Sequence, residues 1–412
     1  MLGGNQMACP AIRRLRDHGY RIIVVDGKAD APGGQVADCF IHQNFLDVDS
    51  TMEILSGVDF DGIIPLNDFA IHAAAQIARK RNLPGWNALA ESCFTSKVVM
   101  KQAWSSHGLA TAAWSWTTAA ELRARCFPDW HSWPAVIKPS YSGGGSRGVF
   151  VAKNWAEVLV GFESVEERYL DGDIVIEEFI DGSEHTIEVL ISNGQPMLLS
   201  ISDKENYPGS ETIVRNLYFP GPVGHHYKEQ IQSLLFAACA AMQLTDGTTH
   251  FEVLVRNHQP FLLEVGGRPG GGLNFHPICE LSTGYDYPGL LAAVVTGRTP
   301  DYRRQSAEHL AWHYFSPGTG TLEAIEGFDF VRQQEDVVEA EIYEVPGQSR
   351  FLLKDDLSRP GYVLVRGASH AAACARATEL VAQVKFRIEP NLAPAPAYEA
   401  ALRNDHHRSG AS

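Results

Sequence analysis

The chain has 412 residues, of which 45% are hydrophobic and 20% charged, and a formal net charge of −15. This length and composition describe a soluble globular protein of roughly two to four domains. The acidic balance excludes a nucleic-acid coat or an anionic membrane as partner, but not a nucleotide held in a local positive pocket. Cys9, Cys39, Cys93, Cys126, Cys239, Cys279 and Cys374 are odd in number and form no Cys-x-x-Cys pair. Reduced thiols in a cytoplasmic protein are therefore expected, with no signal peptide and no apolar run of membrane length.

Residues 1–92 read as a small βαβ domain with a parallel sheet. Met1 to Gln6 resembles the end of a strand entering a glycine turn, so a preceding strand of four or five apolar residues is expected upstream. A helix over Ala8–Gly19 leads to a buried strand over Tyr20–Asp26. A second strand is expected at Gly62–Leu66 and a helix at Ala70–Asn82. A unit over 93–182 begins with a helix at Ser96–His107 and continues with strands ending at Lys138 and spanning Ile174–Ile180. Residues 183–304 open with an alternating strand, Glu184–Ser192. They continue with a helix near Tyr227–Leu244 and strands at Thr249–Arg256 and Pro260–Val265. Residues 305–390 read as a separate α/β or β-rich cap, and 391–412 as a disordered tail rich in Pro, Ala and polar groups.

The densest chemical signal surrounds Lys138. It closes the apolar run Pro134–Pro139 and is followed by Ser142-Gly143-Gly144-Gly145-Ser146-Arg147-Gly148 and a strand at Val149–Val151. Glycines let backbone N–H groups approach anionic oxygens, and a lysine adds a point charge, which suits a nucleotide's phosphates. The loop is not a Walker A loop, and it leads into a strand rather than into the helix of a dinucleotide fingerprint.

Four fragments in order then carry a resemblance. They are Ser96-Lys97-Val98-Val99-Met100-Lys101, Ala135–Pro139 with its glycine loop, Glu177-Glu178-Phe179-Ile180-Asp181-Gly182-Ser183-Glu184, and Phe261–Gly270 with Glu264 and Arg268. Together they resemble the ATP-grasp superfamily. The resemblance implies an α/β chain with an N-terminal βαβ (pre-ATP-grasp) domain, a two-lobed ATP-binding region and a C-terminal α/β cap. Lys97, Lys138 and the loop residues Ser142, Gly143, Gly144, Gly145 and Ser146 would then hold phosphates. Glu177, Glu178, Phe179 and Ile180 would form the hinge at the adenine, and Glu184 would accept the ribose hydroxyls.

Glu252 and Glu264 lie on strands joined by the turn Arg256–Gln259. Two carboxylates on one face of a hairpin repel unless a cation lies between them, and Mg²⁺ takes one or two carboxylates together with substrate phosphates. Mg²⁺, or Mn²⁺ in its place, is the expected metal. The family places an asparagine two residues after the second glutamate, where this chain has Gly266, so two-metal geometry is not assured. Arg268 would stabilise the transferring phosphoryl group.

The polar segment Ser202–Glu211 resembles the mobile loop that such enzymes close over an acyl phosphate. Pro269-Gly270-Gly271-Gly272-Leu273-Asn274-Phe275-His276 is expected to line a roomy acid pocket. Gly271, Gly272, Asn274 and His276 are its candidates, and a tryptophan at Gly272 is expected to narrow it. Leu83–Asn87, Gly318–Gly327 and Arg359–Val365 resemble the L-amino acid ligase (dipeptide synthetase) group. The resemblance implies a carboxylate–amine ligase with small-molecule acid and amine substrates, with a homodimer left open. A bicarbonate- or formate-activating relative and a non-catalytic nucleotide binder are the alternatives.

Overall fold

The computed structural model describes residues 1–141, 143–165, 172–350 and 353–390. Ser142 and the tail 391–412 lie outside the described residues. In the N-terminal domain β1 (Ile23–Asp26) pairs in parallel with β2 (Cys39–His42). Leu2 runs between β1 and residues 62–66, with parallel bridges to Val25 and Pro65. The stretch expected to be a strand at Gly62–Leu66 makes an isolated bridge instead of a named strand. Pro65 has no N–H to donate to a ladder, which limits pairing there. The helix Asp68–Arg81 starts at Asn67, whose side chain accepts from Ala70 N, and ends at Asn82 in the left-handed region. It buries Ala70, Ala73, Ala74, Ile77 and Ala78 against the domain core.

The helix Lys97–Ser106 is capped by Ser96 and packs beside Ala88–Thr95. A four-stranded sheet follows, with β3 (Trp114–Thr118), β4 (Ala135–Pro139), β5 (Phe150–Ala152) and β6 (Asp173–Glu178) in the order β3-β6-β4-β5. Its pairs are antiparallel, and β6 is hydrogen-bonded on both sides.

The remaining strands are β7 (Ser183–Ser192), β8 (Gln195–Asn206), β9 (Val214–Phe219), β10 (Gly247–Arg256), β11 (Gln259–Gly266), β12 (His309–Tyr314), β13 (Gly320–Glu326), β14 (Val337–Ile342), β15 (Ser349–Arg350), β16 (Gly361–Gly367) and β17 (Lys385–Glu389). One eight-stranded sheet runs β11-β10-β7-β8-β9-β12-β16-β14, and a small sheet runs β15-β13-β17. Strands beyond residue 305 therefore continue the large-lobe sheet as well as forming the small one. β7 lacks the expected alternation of burial, because both of its faces are covered. Ile187, Val189 and Ile191 pack with the helix Lys228–Ala241, and Leu190 packs with the helix Tyr287–Val295. The segment expected to be mobile at 202–211 is strand through Asn206, with Ser202 and Asp203 buried.

Among the described residues no helix is long and apolar enough to cross a membrane. All seven cysteines are free thiols.

Trp86 joins the N-terminal region to the large lobe. Its Nε1 donates to Gly267 O at 2.9 Å, and its ring meets Phe94 edge-on at 5.2 Å. Trp86→Ala should cost about 3–5 kcal/mol through the cavity and the orphaned carbonyl, read as a lower midpoint in urea denaturation.

Candidate active site

β4 delivers Lys138 and β6 delivers Glu177. Lys138 lies opposite Val175, so Glu177 is its diagonal neighbour on the same face. Lys138 Nζ reaches Glu177 Oε1 at 2.8 Å, and Lys101 Nζ reaches Oε2 at 3.1 Å. All three side chains are buried, Glu177 to 1% exposure and Lys101 to 0%. Lys101 also donates to Thr111 Oγ1 at 2.7 Å. Burial pulls the Lys101 ammonium down to about 8, against the attraction of Glu177. Burial also opposes charge on Glu177 and Lys138, but the paired charges prevail. Glu177 is held below the usual carboxylate range and Lys138 above the usual lysine range.

The side chain of Glu177 is thus enclosed within the protein, whereas the hinge expected at the adenine rests on the backbone. Glu177 is the counter-charge that keeps two lysines ionised. Two backbone N–H groups of the expected hinge are engaged within the protein: Glu178 N donates to Ala113 O at 2.8 Å and Phe179 N to Pro134 O at 3.0 Å. Glu178 itself pairs with Arg256 at 2.8 Å, and Ile180 is buried.

Lys97 occupies the first turn of its helix and pairs with Glu264 at 2.9 Å. Its backbone N–H donates to Ser140 O, which fastens that helix to the start of the glycine loop. Gly143, Gly144 and Gly145 all have φ between 68° and 75°, which glycine adopts without the penalty other residues incur. Ser146 Oγ donates to Thr212 O at 2.9 Å, and Asp356 N donates to Gly145 O at 3.3 Å. The loop is therefore held by the large lobe and by the C-terminal region. A narrow cleft lined by Asp68, Lys97, Gly143, Gly144 and Glu264 lies beneath it. The roomier cavity, about 360 Å³ and lined by Met1, Tyr20, Phe60 and Val295, lies between the N-terminal domain and the end of the helix Tyr287–Val295, with none of these charged groups in its lining.

Glu252 and Glu264 stand directly opposite each other on β10 and β11. Their side chains are 27% and 32% exposed. Lys204 on β8 contacts Glu184 on β7 and reaches Glu252 on β10 at 3.3 Å. Burial opposes the Glu252 charge, yet Lys204 and then His250 pull that carboxyl down to about 2. Burial raises Glu184, with Glu252 adding to the shift and Lys204 opposing it. Among the described residues no group of three or more His, Cys, Asp or Glu forms a metal cage. Two facing, partly open carboxylates still fit Mg²⁺, which completes its octahedron with waters and phosphate oxygens.

Arg268 follows β11 and pairs with Asp68 of the N-terminal domain. Beneath them Glu188 accepts from Gly270 N at 2.9 Å and from the Tyr287 hydroxyl at 2.8 Å, and meets His250 Nδ1 at 2.6 Å. The expected acid pocket is therefore smaller than its glycines suggest. A Cβ on Gly270 would lie 2.1 Å from Glu188, and one on Gly272 would lie 2.6 Å from Trp312. At Gly271 nothing described lies within 4 Å. Asn274 is buried and donates to Gly271 O at 3.0 Å, while His276 faces Glu280 at 3.2 Å. Asn274 thus braces the segment through its amide.

Local sequence pattern does not single out Lys101, Lys204, Asp68 or Glu188. Lys101 carries only its spacing, four residues after Lys97 on one helix face. The others meet the site through tertiary contacts.

These features describe an α/β site in which lysines with buried side chains surround two facing carboxylates. The chain matches the ATP-grasp domain over residues 131–276 and the L-amino acid ligase C-terminal domain 2 over 313–389. This chain therefore contains an ATP-grasp domain. It is 25% identical over 230 residues to a D-alanine–D-alanine ligase of Paracidovorax citrulli, covering 53% of this chain and 67% of that one. It is 23% identical over 250 residues to dapdiamide A synthase of Enterobacter agglomerans, covering 56% and 57%. In fold it is similar to the L-amino acid ligase from Bacillus licheniformis, with a TM-score of 0.79, 23% identity, and coverage of 94% and 98%.

Glu177→Gln should destabilise the protein by about 3–5 kcal/mol in denaturant titrations, because two buried ammonium groups lose their counter-charge. A second expectation concerns acid. The folded Glu252 value of about 2 lies below its ordinary 4.5, so its stabilisation is present above pH 4.5 and lost as pH falls towards 2. Without metal or nucleotide, Glu252→Gln should flatten the loss of stability across that window, followed by circular dichroism.

Proposed function

We propose that this chain joins an amino acid, or a similar small carboxylic acid, to an amine at the expense of ATP, through an acyl phosphate. The observation that carries this reading is the direct pairing of Glu252 with Glu264, bordered by Lys97, Lys204 and Arg268. In this reading an acid oxygen attacks the γ-phosphorus and ADP leaves. The amine nitrogen then attacks the acyl carbon, loses a proton, and phosphate leaves. Mg²⁺ bound at Glu252 and Glu264 would neutralise charge on the phosphate oxygens.

The protein's own share is positioning, charge neutralisation and exclusion of water from a hydrolysable intermediate. Lys138 and Lys97 hold phosphate oxygens, Glu184 receives the ribose hydroxyls, and the glycine loop covers the triphosphate. Arg268 presents N–H donors to the transferring group. The acid binds beside Gly271. The names of the relatives, D-alanine–D-alanine ligase, dapdiamide A synthase and L-amino acid ligase, support an amino-acid substrate class.

ADP release with Mg²⁺-ATP, measured over single and paired amino acids with mass detection, tests the reading. A pair that yields ADP and a product whose mass is the sum less water supports it. ATP turnover that needs bicarbonate and no amino acid would overturn it in favour of a carboxylating reaction. Gly271→Trp should narrow the range of accepted acids; an unchanged acid profile would remove Gly271 from the pocket.

A further inference from the structure

Asp68 comes from a different domain and lies 200 residues from Arg268 in sequence, yet its carboxylate grips that guanidinium on two sides. Arg268 Nε donates to Oδ1 at 3.1 Å and Nη2 to Oδ2 at 2.8 Å, while Nη1 donates to Pro269 O at 2.9 Å. Three N–H groups are thus fixed, and the plane of the guanidinium with them. The guanidinium has five N–H groups in all, so these contacts use only part of its donor set. Both side chains are largely buried, at 17% and 12% exposure. Burial opposes the Asp68 charge, but Arg268 holds the carboxyl below its usual range. Asp68 also lies in the first turn of its helix, where the helix dipole favours a negative charge.

The surroundings of this carboxylate explain a glycine that the backbone does not. Gly266 lies outside the left-handed region, so its φ does not call for glycine. A Cβ there would lie 3.0 Å from Asp68 Oδ1 and 3.6 Å from the Arg268 guanidinium carbon. Across the cleft, a Cβ on Gly144 would lie 2.6 Å from Asp68 Oδ2. Asp68 therefore fills the space between the end of β11, the phosphate loop and the arginine, two residues beyond Glu264.

We infer that Asp68 is a positioning residue for the transfer step. The N-terminal domain supplies the acceptor that aims Arg268, in a space that a side chain at 266 would otherwise occupy. This inference rests on the proposed ligase reading, because it assumes that Arg268 meets the transferring group.

The test is a four-protein cycle: wild type, Asp68→Ala, Gly266→Asn and the double variant. Asp68→Ala should lower kcat on the order of 100-fold with little change in KM for ATP, since a misaimed group costs rate more than ground-state binding. Gly266→Asn alone should also be impaired, because its side chain collides with Asp68. In the double variant the asparagine oxygen can accept from Arg268 where Asp68 stood, and kcat should recover at least about tenfold over either single variant. Additive loss in the double variant would overturn the inference and leave an ordinary interdomain ion pair. Thermal denaturation of the same four proteins needs no turnover. Compensation in Tm supports the shared space, and additivity denies it. If wild type gives no product with any acid and amine, the ligase reading fails on that measurement alone, and the Tm cycle still decides whether Asp68 and residue 266 share one space.

Discussion

Lysines taken out of water keep their protons only beside a carboxylate, and the candidate site is built around that constraint. Lys138 and Lys101 share Glu177, Lys97 meets Glu264, and Lys204 meets Glu184 and Glu252. In each case the two charges come from different elements, so the pairs also fix how those elements lie together. The helix Lys97–Ser106 is tied to β11, β4 to β6, and β8 to β7 and β10. Buried pairs of this kind add little net stability, but breaking one is costly, which suits a site that must keep its geometry.

Exposure divides this charge lattice into two parts. Glu177 is enclosed with its lysines and has no route to another partner. Glu252 and Glu264 stay partly open and face each other across one hairpin. In the proposed reaction Mg²⁺ would be held by these two carboxylates, and their lysines would then be free for phosphate oxygens. The closed part holds Lys138 in its charged form beside Glu177.

The sequence made legible what depends on neighbours along the chain. The strand before Lys138, the glycine loop and the hairpin that opposes Glu252 to Glu264 each follow from local pattern. The pairing of Glu177 with two lysines is not visible in the pattern, which does not show that β6 lies between β3 and β4, where this side chain is enclosed. Lys204 was hidden in a polar run that reads as a loop, although Gln195–Asn206 is a strand in the interior of an eight-stranded sheet. Asp68 gave no signal beyond that of an acidic residue at a helix start. Its meaning depends on a contact across 200 positions.

The glycine-rich stretch after Arg268 shows why composition misjudged the pocket. A run of glycines reads as open space, yet two of these three glycines answer to a neighbour. Gly270 leaves room for the Glu188 carboxylate, which accepts its N–H. Gly272 has φ of 65° and lies against Trp312. Gly271 meets neither condition, since its backbone is extended and no described atom approaches its missing side chain. Packing accounts for its two neighbours and not for Gly271, which stands exposed to solvent. It lies three residues along the chain from Arg268, so a side chain placed there tests the proposed acid site without disturbing the packing that fixes Gly270 and Gly272.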